Sequence, residues 1–191
     1  MGAPSGYLNR VVAALLTAVL LFGAAAQTMA QPAPAQEAQE LEALKSPDGP
    51  TWRKAESNLL RQWSLSGSPA MDLLMERAQA ALKAGDPNAA VGHLTAVIDH
   101  APTFEDAYNL RAAAYVQLGL FGPAVADIGK ALTLNPHDFR ALSGLGMIFE
   151  GMNRPKDALA AYQMALAIHP HLARVLRAVK RLQAQAAGQE L

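Results

Sequence analysis

The fold is decided by residues 139–172, FRALSGLGMIFEGMNRPKDALAAYQMALAIHPHL, because a similar pattern precedes them at a fixed distance. Residues 105–138, thirty-four positions earlier, read EDAYNLRAAAYVQLGLFGPAVADIGKALTLNPHD. Prolines, small residues and large apolar residues recur at this spacing: Pro102, Pro136 and Pro170; Ala90, Ala124 and Ala158; Ala78, Ala112 and Gly146; Leu94, Ile128 and Tyr162. Such a period is typical of stacked helical hairpins. The sequence therefore predicts three hairpins, at about 71–104, 105–138 and 139–172.

Turn-forming residues agree with these hairpins. A left-handed residue is expected where each first helix ends, at Gly85, Gly119 and Asn153. A proline is expected in the opening turn of each second helix, where its missing N–H costs nothing, at Pro87, Pro123 and Pro155. The three periodic prolines then stop the second helices. The small residues are expected where two antiparallel helices touch.

The third repeat carries the fullest motif: Leu142, Leu145, Gly146, Phe149, Ala158, Tyr162, Ala165 and Pro170. This pattern resembles the tetratricopeptide repeat (TPR) family. The resemblance implies an all-α fold, a right-handed superhelix or α-solenoid of three hairpins with a capping helix at each end. Arg77 and Arg111 replace the family's usual leucine, so their heads are expected to reach water. The segment 63–74 also resembles exported repeat proteins of alphaproteobacteria.

The predicted TPR domain spans residues 69–187, including a final capping helix at 171–187. Before it, residues 51–68 are expected to form an N-terminal capping helix and turn, with Thr51 as its N-cap. Trp52 and Trp63 share one stripe of this helix, which either covers the end of the domain that follows or forms an exposed aromatic docking site. Residues 31–50, which are polar and rich in proline, are expected to be a disordered linker, in which residues 36–45 could form a weak helix that is marginal in water without tertiary support.

The N-terminus resembles an export signal. Arg10 precedes an apolar run over residues 11–22 that is short for a membrane-spanning helix. We expect residues 1–30 to be a signal peptide, cleaved after Ala30 or, alternatively, after Ala26. These features predict a periplasmic protein. An uncleaved signal would instead anchor the chain in the inner membrane, facing the periplasm, as an assembly or scaffold factor.

Composition argues against several classes of function. Sixteen basic residues balance sixteen acidic ones, so no global field favours nucleic acid. The absence of cysteine excludes disulfides and thiol chemistry. We found no nucleophile, phosphate-binding or cofactor motif, and predict a non-enzymatic protein without cofactor or metal. His169 and His171 could share a metal, but no third ligand lies close in sequence, so exposed turn histidines are expected.

The TPR resemblance implies a concave groove, lined by the first helix of each hairpin, that binds a protein or peptide. Carrying the family's groove positions across gives Met75, Gln79, Asp106, Asn109, Val116, Gln117, Arg140, Ser143 and Met147. Asn109 is expected to bind a backbone amide and Arg140 an anion. Some family members bind the C-terminal carboxylate of a partner with Lys, Asn and Arg side chains at fixed positions of the groove. Of the matching positions in this sequence, only Arg140 has a side chain of the required kind. The sequence therefore argues against a chaperone-tail receptor of that kind.

Charge is distributed unevenly along the chain. Residues 71–106 hold six acidic and two basic residues, for a net charge of −4, whereas residues 151–191 hold six basic and two acidic, for +4. Either the basic residues complement the negative end of the last helix's dipole, or the last helix takes part in end-to-end association or binds an acidic partner. The protein is expected to be a monomer or to self-associate weakly.

Overall fold

A computed structural model describes residues 34–189, with side chains from residue 35 to residue 187. That part of the chain holds nine α-helices and no β-strand. The expected signal peptide, residues 1–30, lies outside the described residues. None of the described helices has the length and apolar character needed to span a membrane.

The helices follow one another with short connections. Their bounds are α1 Pro34–Ala43, α2 Gly49–Trp63, α3 Pro69–Lys83, α4 Pro87–His100, α5 Glu105–Gln117, α6 Phe121–Leu134, α7 Phe139–Gly151, α8 Pro155–Ile168 and α9 Ala173–Gln189. Helices α3–α4, α5–α6 and α7–α8 form the first, second and third hairpins. Each hairpin packs on the next, and α9 packs on α8. The all-α solenoid is confirmed.

The turns follow the sequence prediction closely. Gly85, Gly119 and Asn153 have φ values of 76°, 73° and 55°, in the left-handed region expected of residues that end a helix. Helices α4 and α8 begin at their prolines. The second helices end two residues before Pro102, Pro136 and Pro170. These local rules therefore fix the hairpin geometry.

The core follows the repeat. The small residues at helix contacts are buried, with Ala78, Ala90, Ala124 and Ala158 fully inaccessible to solvent. Between them lie the larger side chains of the second helices, such as Leu94, Ile128 and Tyr162. At the C-terminal end, Val175 and Leu182 of α9 pack with Tyr162 and Ala158. The apolar stripe of α9 thus covers the last hairpin.

The segment expected to be a disordered linker instead contains α1, and this correction has a clear physical cause. A lone helix of this length is marginal in water, but α1 has tertiary partners. Glu37 accepts a hydrogen bond from the Trp63 indole (3.1 Å), and Glu40 accepts one from Asn58 (2.7 Å). Leu44, just after α1, is fully buried. Helices α1 and α2 therefore form a hairpin of their own, the N-terminal hairpin.

Two further details of α2 differ from the prediction. Its N-cap is Asp48 rather than Thr51: the Asp48 carboxylate accepts the backbone N–H of Thr51 at 3.0 Å. Its apolar side packs on the third hairpin rather than on the open end of the first. Leu59 and Trp63 share a cluster with Phe139, Ile168 and Leu172. The N-terminal hairpin consequently lies against the start of α7 and the turn after α8.

Candidate functional site

The candidate site is the face formed by the first helices α3, α5 and α7, which we call the first-helix face. Helix α3 contacts α5, and α5 contacts α7, so residues 34 apart form rows across this face. Asp106 and Arg140 form one row, and Asn109 and Ser143 the next. The structure divides the predicted groove residues between two ends of this face, which differ in solvent exposure.

At the end where the first helices begin, the polar residues bind one another. Arg140 pairs with Asp106 at 3.1 Å and with Asp138 at 3.2 Å. Asn109 donates a hydrogen bond to the second oxygen of Asp138 at 3.1 Å. Asp138, whose side chain is fully buried, also accepts the backbone N–H groups of Arg140 and Ala141 and so caps α7. We call this group the capping network.

Burial shifts the pKa values of residues in the capping network and of Glu105, which precedes Asp106 in the sequence and is influenced by the network's charges. Burial raises the pKa of Glu105 to about 7, helped by the charges of Asp106 and Asp138. Burial also raises the pKa of Asp106, although Arg140 opposes this shift. For Arg140, burial lowers the pKa, but the charges of Asp138 and Asp106 outweigh it, so the pKa is raised overall. Arg140 is therefore charged and held between carboxylates.

Helix α2 closes this end of the face. The Arg140 guanidinium lies over the Trp63 ring, 5.7 Å from its centroid, and Trp63 packs against Phe139 with ring centroids 5.5 Å apart. Met75 is also turned inward, at 4% exposed, and the Ser143 hydroxyl bonds the Phe139 carbonyl. Asn109 and Arg140 were expected to contact a ligand. In this structure their polar groups instead bind other residues of the protein. Their role in binding stays a prediction.

The other end of the face is open to solvent. Met147 is 63% exposed and Val116 is 37% exposed, and both lie on first helices that contact each other. Gln79 and Gln117 are exposed as well. This open end combines alkyl and thioether groups with side-chain amides, which suits binding rather than proton transfer.

Helix α9 also belongs to this face, although the groove positions predicted from the sequence did not include it. The period itself was the available signal, since Arg174, Arg177 and Arg181 lie 34 residues after Arg140, Ser143 and Met147. An ion pair between Arg181 and Glu150 joins α9 to α7. The rows of the first-helix face therefore continue onto α9.

The turn histidines also differ from expectation. His169 is fully buried rather than exposed, and it lies among Phe139, Trp52 and His171 with ring centroids 4.9, 5.5 and 6.1 Å away. His171 stacks on Trp52, and its Nε2 lies 2.8 Å from the Ser46 carbonyl. In the described part of the chain, no group of three or more histidines and carboxylates is arranged to hold a metal. These histidines bind the N-terminal hairpin to the third hairpin.

Comparison with known proteins agrees with this architecture. The family model described as tetratricopeptide repeat matches residues 75–127 and 110–173. A TPR repeat-containing protein of Rhizobium etli is 30% identical over 146 residues, which cover 75% of this chain and 72% of that protein. The Hsp70-Hsp90 organizing protein of Triticum aestivum is 33% identical over 94 residues, 49% of this chain but only 16% of that protein.

Solved structures show the same fold. The Arabidopsis OM64 TPR domain superposes with a TM-score of 0.57 at 30% identity, covering 60% of this chain and 95% of that domain. The family model spans more than half of the chain, and the rhizobial relative is matched over most of its length. The hairpins, their turn residues and these matches together show that the chain belongs to the tetratricopeptide repeat family.

Proposed function

We propose that this protein is a non-enzymatic binding module of the bacterial periplasm that holds a protein or peptide partner on the open end of its first-helix face. The observation that carries the proposal is the exposure of Met147 and Val116 on adjacent helices. Exposed apolar groups next to amides mark interaction surfaces, and a methionine side chain adapts to varied partners.

The relatives support a protein partner in general terms. The name of the wheat relative places it with Hsp70 and Hsp90, which are themselves proteins. At the positions that match the carboxylate clamp, this chain has Met75, Gln79, Leu110, Arg140 and Gly144. Arg140 is engaged by Asp106 and Asp138. We therefore favour a partner that is not held by a terminal-carboxylate clamp.

A pair of exposed methionines allows a matched test. Met147 lies on the first-helix face and is 63% exposed, whereas Met164 lies on a second helix, α8, and is 58% exposed. Tagged Met147→Glu, Met164→Glu and wild-type proteins would be used to recover partners from the periplasm of the native host. Loss of a specific partner in Met147→Glu alone supports the proposal. Partners retained equally by both variants contradict it.

The periplasmic location rests on the N-terminal sequence pattern, in which Arg10 precedes an apolar run and small residues end at Ala30. The alternative is a factor tethered to the inner membrane by an uncleaved N-terminus. Intact-mass measurement of the protein from its native host separates the two. A chain that begins after Ala26 or Ala30 supports export and cleavage, and a chain that still contains residues 11–22 in the membrane fraction supports the tether.

A further inference from the structure

Helix α9 presents a row of arginines to solvent. Arg174, Arg177 and Arg181 are all exposed to solvent. Their spacing of three and four residues places them on one face of the helix, roughly 4.5 and 6 Å apart along its axis. We call these three residues the arginine row.

The row is held on a fixed support. The opposite side of α9 is anchored on the third hairpin by Val175 and Leu182, which are 6% and 5% exposed. Arg181 is further positioned by its ion pair with Glu150, which also accepts the Tyr162 hydroxyl at 2.7 Å. The helix itself loses little freedom when a ligand binds, so only the exposed arginine side chains have to become ordered.

Most of the charge of the row is uncompensated. Among residues 34–187, no carboxylate lies within 4.0 Å of the Arg174 or Arg177 guanidinium, and only Arg181 has an acidic partner.

The helix dipole does not account for the two free arginines. They lie at the second and fifth positions of α9, near its positive end, and the last turn contains no basic residue. A cation in the first turn is disfavoured by the dipole. The explanation that the basic residues complement the negative end of this helix is therefore wrong.

From this geometry we infer that the arginine row binds an internal acidic segment of the protein partner, in which carboxylates recur along an extended chain. The inference rests on the proposed binding function and specifies the chemistry of its partner. Alternate side chains of an extended chain lie about 6.6 Å apart on one side, close to the spacing of the row. A guanidinium binds a carboxylate through two parallel hydrogen bonds, which makes arginine selective for such groups.

Nucleic acid fits the observations less well. The whole chain has a formal net charge of zero, and the row is only three residues long. A long polyanion following the first-helix face would meet residues 71–106, which carry a net charge of −4. A short acidic segment matches the row without that repulsion.

A second copy of this chain is also a poorer occupant, because three of the six acidic residues at 71–106 already have partners, and Glu76 and Asp99, which pair with no other described side chain, lie on different helices. Asp72 accepts hydrogen bonds from Ser66, and Asp86 caps α4 through the Ala89 N–H. Asp106 pairs with Arg140 in the capping network. These carboxylates are not free to reach the arginine row of another molecule.

The test uses residues 31–191, the chain expected if the signal is cleaved after Ala30, and a fluorescein-labelled peptide of alternating glutamate and serine with an amidated C-terminus. The matched peptide replaces each glutamate by glutamine. Fluorescence anisotropy should show binding of the acidic peptide that weakens as salt is added, and little binding of the glutamine peptide. The Arg174→Gln/Arg177→Gln variant should bind the acidic peptide about tenfold more weakly, from the loss of two charge-assisted contacts.

The control variant makes the same change of charge elsewhere. Lys130 and Lys156 are exposed on the second helices α6 and α8, so Lys130→Gln/Lys156→Gln should leave peptide affinity within about twofold of wild type. Circular dichroism would verify that both variants fold. Equal weakening in both variants, or equal affinity for the two peptides, would overturn the inference.

Further outcomes separate the competing occupants. Binding of a single-stranded oligonucleotide more tightly than the acidic peptide would overturn the inference in favour of nucleic acid. Salt-sensitive dimerisation in sedimentation, abolished by Arg174→Gln/Arg177→Gln, would overturn it in favour of a second copy. If the acidic peptide fails to bind while Met147→Glu still loses its periplasmic partner, this inference fails and the proposed function stands.

Discussion

The guanidinium of Arg140 lies over the indole of Trp63, and this contact joins α2 to the first turn of α7. The same Trp63 ring packs on Phe139, which is 1% exposed and also meets His169 edge-on at 4.9 Å. Phe139 is thus the centre of the interface between the N-terminal hairpin and the third hairpin. The N-terminal hairpin adds an apolar interface that the repeats themselves do not require.

Replacing Phe139 by alanine should therefore weaken this interface. We expect a loss of about 3–5 kcal/mol in the free energy of unfolding, as for other large aromatic residues removed from a core. Both tryptophans of the chain lie in α2, so tryptophan emission reports on this helix alone. A red-shifted native spectrum together with a lower urea midpoint is expected.

The control for this change is Leu73→Ala, which also shortens a large apolar side chain to alanine, but at a position that is 47% exposed. It should alter stability by less than about 0.5 kcal/mol. If Phe139→Ala leaves the emission maximum unchanged, the N-terminal hairpin does not depend on this contact.

Docking of the N-terminal hairpin should also depend on pH through His169. Burial lowers the pKa of His169; Glu56, whose carboxylate lies 3.5 Å from Nε2, opposes the shift, and His171 reinforces it. The folded-state pKa therefore lies below the unfolded value of about 6.5. The stabilisation is fully present above that value and is lost as the pH falls below it, by at most about 1.4 kcal/mol per pH unit for one proton.

Tryptophan emission during urea titration at pH 7.5 and pH 5.5 measures this dependence. His169→Gln should reduce the difference between the two pH values, whatever its effect on absolute stability. His137→Gln, at an exposed turn one repeat before His171, should leave the difference unchanged. Because the pKa of Glu105 is raised to about 7, Glu105 titrates in the same range with the opposite effect on stability, so the prediction is contradicted if His169→Gln leaves the difference between the two pH values unchanged.

The sequence predicted what depends on neighbours along the chain and missed what depends on distant contacts. Gly85, Gly119 and Asn153 end their helices as expected, because left-handed caps obey local rules. The buried position of His169 depends on Trp52 and Glu56, more than one hundred residues earlier, and no periodicity links the two segments. Helix α1 was expected to be at most marginal for the same reason, since its stability comes from contacts with Trp63 and Asn58.

The predicted groove residues show the same difference between features set by local patterns and features set by distant contacts. The resemblance to the TPR family implied that Val116 and Met147 lie on the first-helix face, where they are exposed. It could not reveal that Arg140 is shared between Asp106, Asp138 and the ring of Trp63, because that arrangement depends on where α2 lies. A repeat thus predicts which residues occupy equivalent positions in successive hairpins. It does not predict whether those residues are free to bind a ligand.

Arg111 provides a third prediction, because its head does not reach water as expected. Its guanidinium binds both oxygens of Asp127, at 2.7 and 2.8 Å, and the two side chains are 15% and 10% exposed. Arg111→Leu would leave the Asp127 charge buried without a partner, at a cost of about 3 kcal/mol. The double variant Arg111→Leu/Asp127→Leu should recover most of that loss in urea unfolding.

The repeat supplies the matched control. Arg77 stands at the same offset in the first hairpin but is exposed, so Arg77→Leu should change stability by less than about 0.5 kcal/mol. Similar losses for Arg77→Leu and Arg111→Leu would show that the ion pair with Asp127 is not what makes Arg111 important.

Gly146 provides the last prediction, which tests the close approach of α7 and α8. A Cβ at this position would overlap the Tyr162 ring, at 2.5 Å from Cδ1. Tyr162 is 2% exposed and its hydroxyl is held by Glu150, so the ring has little room to move. Gly146→Ala should therefore destabilise the protein by about 1–3 kcal/mol despite the better helix propensity of alanine. Thermal or urea unfolding measures the change.

Gly129 is the matched control, since it lies inside α6 and a Cβ there would meet no atom within 4 Å. Gly129→Ala should gain roughly 0.5–1 kcal/mol from helix propensity alone. Both substitutions add one methyl group to the interior of a helix, so the difference between them isolates the contact with Tyr162. If both variants gain stability, α7 and α8 are not in contact at Gly146, and the small residue at this position in the repeat is not there to let the helices approach.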